Sequence, residues 1–163
     1  MSRSRPAPRR RSRQVALQVL YAIDLGEVSE ESARPSVDQA FALVAENFEL
    51  PQGAHDFACE LVHGIVRHRP EIDALLADHA TNWRISRMAA VDRNILRIGA
   101  YELIHTDTPA QVVLDEAIEL ARRYGNDPSP AFVNGVLDAV GRAVTGVLRG
   151  GAPAEPGGGE GPG

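Results

Sequence analysis

Between Arg9 and Val144 apolar residues recur at three- and four-residue intervals almost without a break. No stretch combines two-residue alternation with β-branched enrichment between turn signals. The pattern predicts an all-α fold of about seven helices. The first runs from about Arg9 to Leu25 and stops at Gly26, with Val15, Val19, Ala22 and Ile23 on one stripe. Ser36-Val37-Asp38-Gln39 fits a capping box and opens a second, with Val37, Phe41, Val44 and Phe48 inward until Pro51. A third spans about Ala54 to His68. Pro70 suits the first position of a fourth, which carries Ile72, Leu75, Leu76 and His79. Ser86 is the expected cap of a long fifth helix, RMAAVDRNILRIGAYELIH, whose wide apolar arc of Met88, Val91, Ile95, Leu96, Ile98 and Leu103 marks it as the most buried. Thr108 as cap, Pro109 at the first position and Gln111 as capping-box glutamine open a sixth, which Gly125 stops. Ser129-Pro130 begins a seventh, with Val133, Val136, Leu137, Val140 and Val144 as its stripe. There is no internal repeat.

At 163 residues and 44% hydrophobic, the chain can bury one core. It has no apolar run long enough to cross a membrane and no apolar leader, so a soluble cytoplasmic protein is expected. A single cysteine, Cys59, excludes an intramolecular disulfide framework. Charge changes the picture more. Residues 1–13 hold Arg3, Arg5, Arg9, Arg10, Arg11 and Arg13 and no acid. Removing those six from the 17 basic residues leaves 11 against 22 acids, so a cationic head precedes an acidic body. Such asymmetry points to a polyanion-binding arm. All 17 are arginine, which genome composition explains as well as a need for guanidinium would. Residues 1–8 are expected to form a disordered basic arm, 9–149 a single helical domain, and the glycine- and proline-rich residues 150–163 a disordered tail.

On a helical wheel Tyr21 and Arg10 fall within roughly 20° of each other, flanked by Arg13 and Gln14 and away from the apolar stripe. A ring beside guanidinium groups suits single-stranded nucleic acid, with cations on phosphate and a ring under the bases. Cations at a helix N-terminus oppose the macrodipole, so helix stability does not account for them. His55, Cys59 and His63 lie on one helical line. The first and last are ~12 Å apart at 1.5 Å per residue, too far for one ion, and no metal site is expected. Asp92 and Glu102 fall inside the apolar arc of helix five, where a carboxylate must be paired, lie at the rim or face a partner. Arg97 and Arg123 are the expected internal partners. No phosphate loop, nucleophile elbow or triad spacing accompanies these acids, so neither an enzyme nor a cofactor is expected.

Four segments in order, RRRSRQVALQVLYAIDL, AVDRNILRIGAYEL, DEAIELARRYG and FVNGVLD, closely resemble the bacterial transcription antitermination factor NusB family over roughly Arg9 to Val144. The resemblance implies a compact bundle of about seven helices in two small subdomains. It also implies binding of boxA RNA together with the ribosomal protein NusE, in an antitermination complex with elongating RNA polymerase on ribosomal RNA operons. It places RNA contacts on Arg9, Arg10, Arg13, Tyr21, Arg93 and Phe132, and the NusE interface on Asp92. The chain departs from the family in NDPSPA, where Pro128 and Pro130 replace more polar residues. Two alternatives stand beside this. One is a homodimer that covers the RNA-binding face. The other is a helical module like the one preceding the catalytic domain of some RNA cytosine methyltransferases, although no cofactor-binding fold is expected after Gly150.

Overall fold

A computed structural model describes residues 6–28, 36–46, 50, 53–80 and 84–150. Among these residues the chain forms seven α-helices and no strand: α1 (Pro6–Val28), α2 (Val37–Ala45), α3 (Ala54–Arg67), α4 (Arg69–His79), a 3-10 turn (Ile85–Arg87), α5 (Ala90–His105), α6 (Ala110–Tyr124) and α7 (Ser129–Gly150). The all-α expectation holds. Residues 6–8, expected in the basic arm, belong to α1. Residues 1–5, the tail from 151, and Phe48 lie outside the described residues.

Local chemistry explains several boundaries. The Ser36 hydroxyl accepts the Gln39 N–H at 3.1 Å while the Gln39 side chain accepts the Ser36 N–H at 3.0 Å, which is the predicted capping box of α2. Gly53 enters α3 at φ 92°, a conformation open to glycine and costly to others. Two expected caps are not used. Ser86 falls in the 3-10 turn, and α5 starts only after Ala89, without a side-chain cap. Ahead of α6, the Thr108 N–H bonds the Thr106 hydroxyl at 3.2 Å, and Gln111 donates to Asp115 at 2.9 Å. Local side-chain bonding has thus replaced the capping box, and Pro109 leads into the helix.

Helices α1, α2 and α3 pack as one group and α5, α6 and α7 as another, joined where α5 runs against α1 and α3; α4 packs on α5 and α7. One continuous core spans both groups, with Leu17, Leu61, Ile65, Ile95, Leu96 and Leu137 essentially inaccessible. Each such side chain contributes about 2 kcal/mol. As expected, α5 is central, with every residue from Asn94 to Glu102 buried. The single-stripe expectation for α1 is corrected. Val15 and Val19 are buried, but so are Ser12, Arg13, Gln14, Leu17, Leu20 and Asp24, because α2, α3 and α5 enclose the helix from several sides. Helices α3 and α5 approach closely at Gly64, where an added Cβ would lie 2.4 Å from the Tyr101 ring. Among the described residues no helix is long and apolar enough to cross a membrane.

Candidate nucleic-acid interface

The start of α1 splits its arginines into exposed and committed groups. Arg9 is exposed, its guanidinium 4.2 Å above the Phe57 ring centroid. Arg10 is 52% exposed and bonds Glu116 through Nε (3.1 Å) and a terminal nitrogen (2.8 Å). Those bonds and the Glu116 charge raise its pKa. Arg11 is half-buried, 3.4 Å from the Gln14 side-chain oxygen.

Arg13 contradicts the wheel. Its side chain is only 4% exposed and donates two parallel bonds, at 2.7 and 2.8 Å, to the fully buried Glu102. Glu116 lies 3.8 Å away, and the Phe57 ring centroid 5.5 Å. Of the face expected to be solvated, Arg13 and Gln14 are buried, with Glu102 of α5 and Glu116 of α6 against Arg13, while Arg10 and Tyr21 stay partly exposed. The buried Glu102 finds Arg13 rather than Arg97 or Arg123.

A second buried cluster sits near the other end of α1. Asp24, 3% exposed at its side chain, accepts from Asn94 at 2.9 Å, Arg93 at 3.1 Å, Arg97 at 3.3 Å and Arg69 at 3.4 Å. Burial alone would raise its carboxyl. The Asn94 bond and the Arg97 and Arg93 charges outweigh that and hold it below the ordinary value. Arg97 also clamps Asp73 at 2.8 and 3.0 Å. Arg93 is therefore committed internally, its remaining terminal nitrogen donating to the Ile85 and Met88 carbonyls at 3.2 and 3.1 Å. Asp24 gave no signal in the sequence, since the wheel puts it outside the apolar stripe of its own helix.

Asp92 has the opposite fate from Glu102. Its Oδ1 is buried with no hydrogen-bond partner. It lines a cavity of about 230 Å³ with Met88, Ala89, Pro128, Ser129 and Phe132, so the loop carrying the two prolines forms one wall. Phe132 is partly buried at the core edge, and Tyr21 is half-buried one turn before Asp24. Arg10 and Asp24 are ~21 Å apart along α1 at 1.5 Å per residue. The structure thus gathers Asp92, Arg93 and Phe132 at one end and Arg9, Arg10 and Arg13 at the other, with Tyr21 toward the first. His55 lies 3.8 Å from Cys59, and His63 lies 3.3 Å from Asp38. Burial, with Asp56 and Asp38 nearby, pushes the Cys59 thiol up.

These features define an all-helical binding domain with an arginine-led first helix braced by buried ion clusters. The profile of the NusB family matches residues 10–142. The transcription antitermination protein NusB of Anaeromyxobacter dehalogenans is 43% identical over 143 residues, covering 87% of this chain and 96% of the relative. That of Solibacter usitatus is 46% identical over 138 residues, covering 85% and 91%. NusB of T. maritima superimposes with a TM-score of 0.72 at 30% identity, covering 87% and 93%. A crystal structure of antitermination factors NusB and NusE in complex with double-stranded RNA gives 0.72 at 33%, covering 84% and 98%. The chain belongs to the NusB family; it is a transcription antitermination protein and not an enzyme.

Proposed function

We propose that this protein binds a boxA segment of nascent RNA together with the ribosomal protein NusE, and that the assembly keeps an elongating RNA polymerase resistant to termination on ribosomal RNA operons, in the cytoplasm. The observation that carries this is the exposure of Arg9 and Arg10 at the acid-free start of α1, in a chain whose remainder is acidic. Phosphate would draw Arg10 from Glu116, exchanging one charge-assisted bond for another. The relative solved with NusE and double-stranded RNA supports both partners. Tyr21 and Phe132 offer partly exposed rings to bases, while Arg13 and Arg93 position the RNA surface through Glu102 and Asp24. NusE, a basic ribosomal protein, docks over Asp92, whose buried Oδ1 lacks a partner.

Salt dependence tests the phosphate contacts. About two neutralised phosphates on a single strand, one each for Arg9 and Arg10, give a log–log slope near −1.4, at roughly −0.7 each. Replacing Arg9 and Arg10 with alanine flattens that slope and leaves the melting temperature within a few degrees. An unchanged slope removes the start of α1 from the RNA site.

A further inference from the structure

At the corner between α3 and α4, three side chains from two stretches of backbone converge. His68 is the C-cap of α3, Glu71 lies in the first turn of α4, and His105 is the last residue of α5. Each offers a ligand atom within 4.8 Å of the other two. His68 Nδ1 is 3.0 Å from a Glu71 carboxylate oxygen. The two imidazoles stack with centroids 4.4 Å apart and planes at 24°. The Tyr101 ring lies 4.9 Å from the His105 ring, and Tyr101 in turn packs against Gly64. His105 is exposed and packs against both rings.

We propose that His68, Glu71 and His105 bind one divalent transition-metal ion of the zinc type, tying the end of α5 to the α3–α4 corner. Metal–nitrogen and metal–oxygen distances of about 2.0–2.2 Å put ligand atoms roughly 3.3 Å apart in a tetrahedron. The His68–Glu71 separation already meets this, and His105 reaches it by rotating out of the stack, which turns its in-plane lone pair toward the same point and closes up to about 1.5 Å of the widest separation present. Two imidazole nitrogens with one carboxylate oxygen favour zinc, nickel or copper over calcium or magnesium, which prefer all-oxygen sites. Asp92 lies ~20 Å away along α5 by helical rise, so the ion does not occupy the Asp92 cavity. His68 and His105 are 37 positions apart in the chain, so no sequence spacing marks the set.

Calorimetric titration of zinc chloride into the chelator-stripped full chain tests this. Wild type shows one saturable site. His68→Ala and His105→Ala each weaken it at least tenfold and Glu71→Gln several-fold, while Cys59→Ser and His63→Ala leave it unchanged. Zinc raises the melting temperature of the wild type but not of His105→Ala, and melting curves without metal confirm that each variant is folded. No saturable binding, affinity unchanged in both histidine variants, or affinity lost with Cys59→Ser instead would each overturn the site and leave the stacked histidines as surface packing.

Discussion

Replacing Arg13 with alanine separates a structural arginine from an RNA contact more sharply than any other change. Its partner Glu102 is 1% exposed at the side chain and receives two hydrogen bonds from Arg13. The truncation leaves a carboxylate buried without its cation, and breaking one side of such a pair costs about 3–5 kcal/mol. Against a total stability of roughly 5–15 kcal/mol, that is about a fifth or more of the margin. At 2–4 °C per kcal/mol for a chain of this size, the melting temperature falls by roughly 12 °C. Replacing both partners by apolar groups of similar volume, Arg13→Met with Glu102→Leu, recovers most of the loss because no charge is left buried. Urea denaturation with an unchanged m-value measures the effect, and RNA titration is run where each variant is fully folded. Arg13→Ala then binds RNA within a few-fold of wild type. Stability within about 0.5 kcal/mol of wild type, with RNA affinity down tenfold, would refute the structural assignment and restore Arg13 as a direct contact.

Asp92 and Asp24 give two further expectations. Asp92→Lys breaks no internal ion pair, so the protein melts within a few degrees of wild type while NusE affinity drops at least tenfold, about 1.4 kcal/mol, from like-charge repulsion. Glu102→Lys, placed in the buried pair, loses the fold instead, and a large melting shift in Asp92→Lys with NusE binding intact would make Asp92 a structural carboxylate. Asp24 has a folded-state pKa below its ordinary 3.8, so its contribution is complete above that value and is lost as the pH falls through the lower folded value. Urea denaturation from pH 7 to pH 3 shows stability falling below about pH 4. Asp24→Asn starts less stable and falls less steeply, and parallel acid curves would contradict the assignment.

The sequence by itself determined what depends on near neighbours in the chain. Three- and four-residue apolar spacing sufficed for seven helices in order, the Ser36–Gln39 box for the start of α2, and the arc of α5 for its central place. Four linear segments sufficed for the family, because its signature is itself linear. Some helix starts escaped, since the Thr106–Thr108 bond displaced a cap that looked equally good on paper. What only the tertiary structure decided was which polar groups are spent inside. The wheel of α5 marked Asp92 and Glu102 as equally misplaced, and packing separated them: Glu102 received Arg13 from a helix 89 positions away, while Asp92 Oδ1 received nothing. Arg13 and Arg93 looked as free as Arg9 and Arg10 until α5 and α6 closed over α1 and Asp24 drew in its arginines. Helical periodicity sorts residues by polarity within one element, whereas the fate of a buried charge is set by the counter-charge that a distant element brings to it.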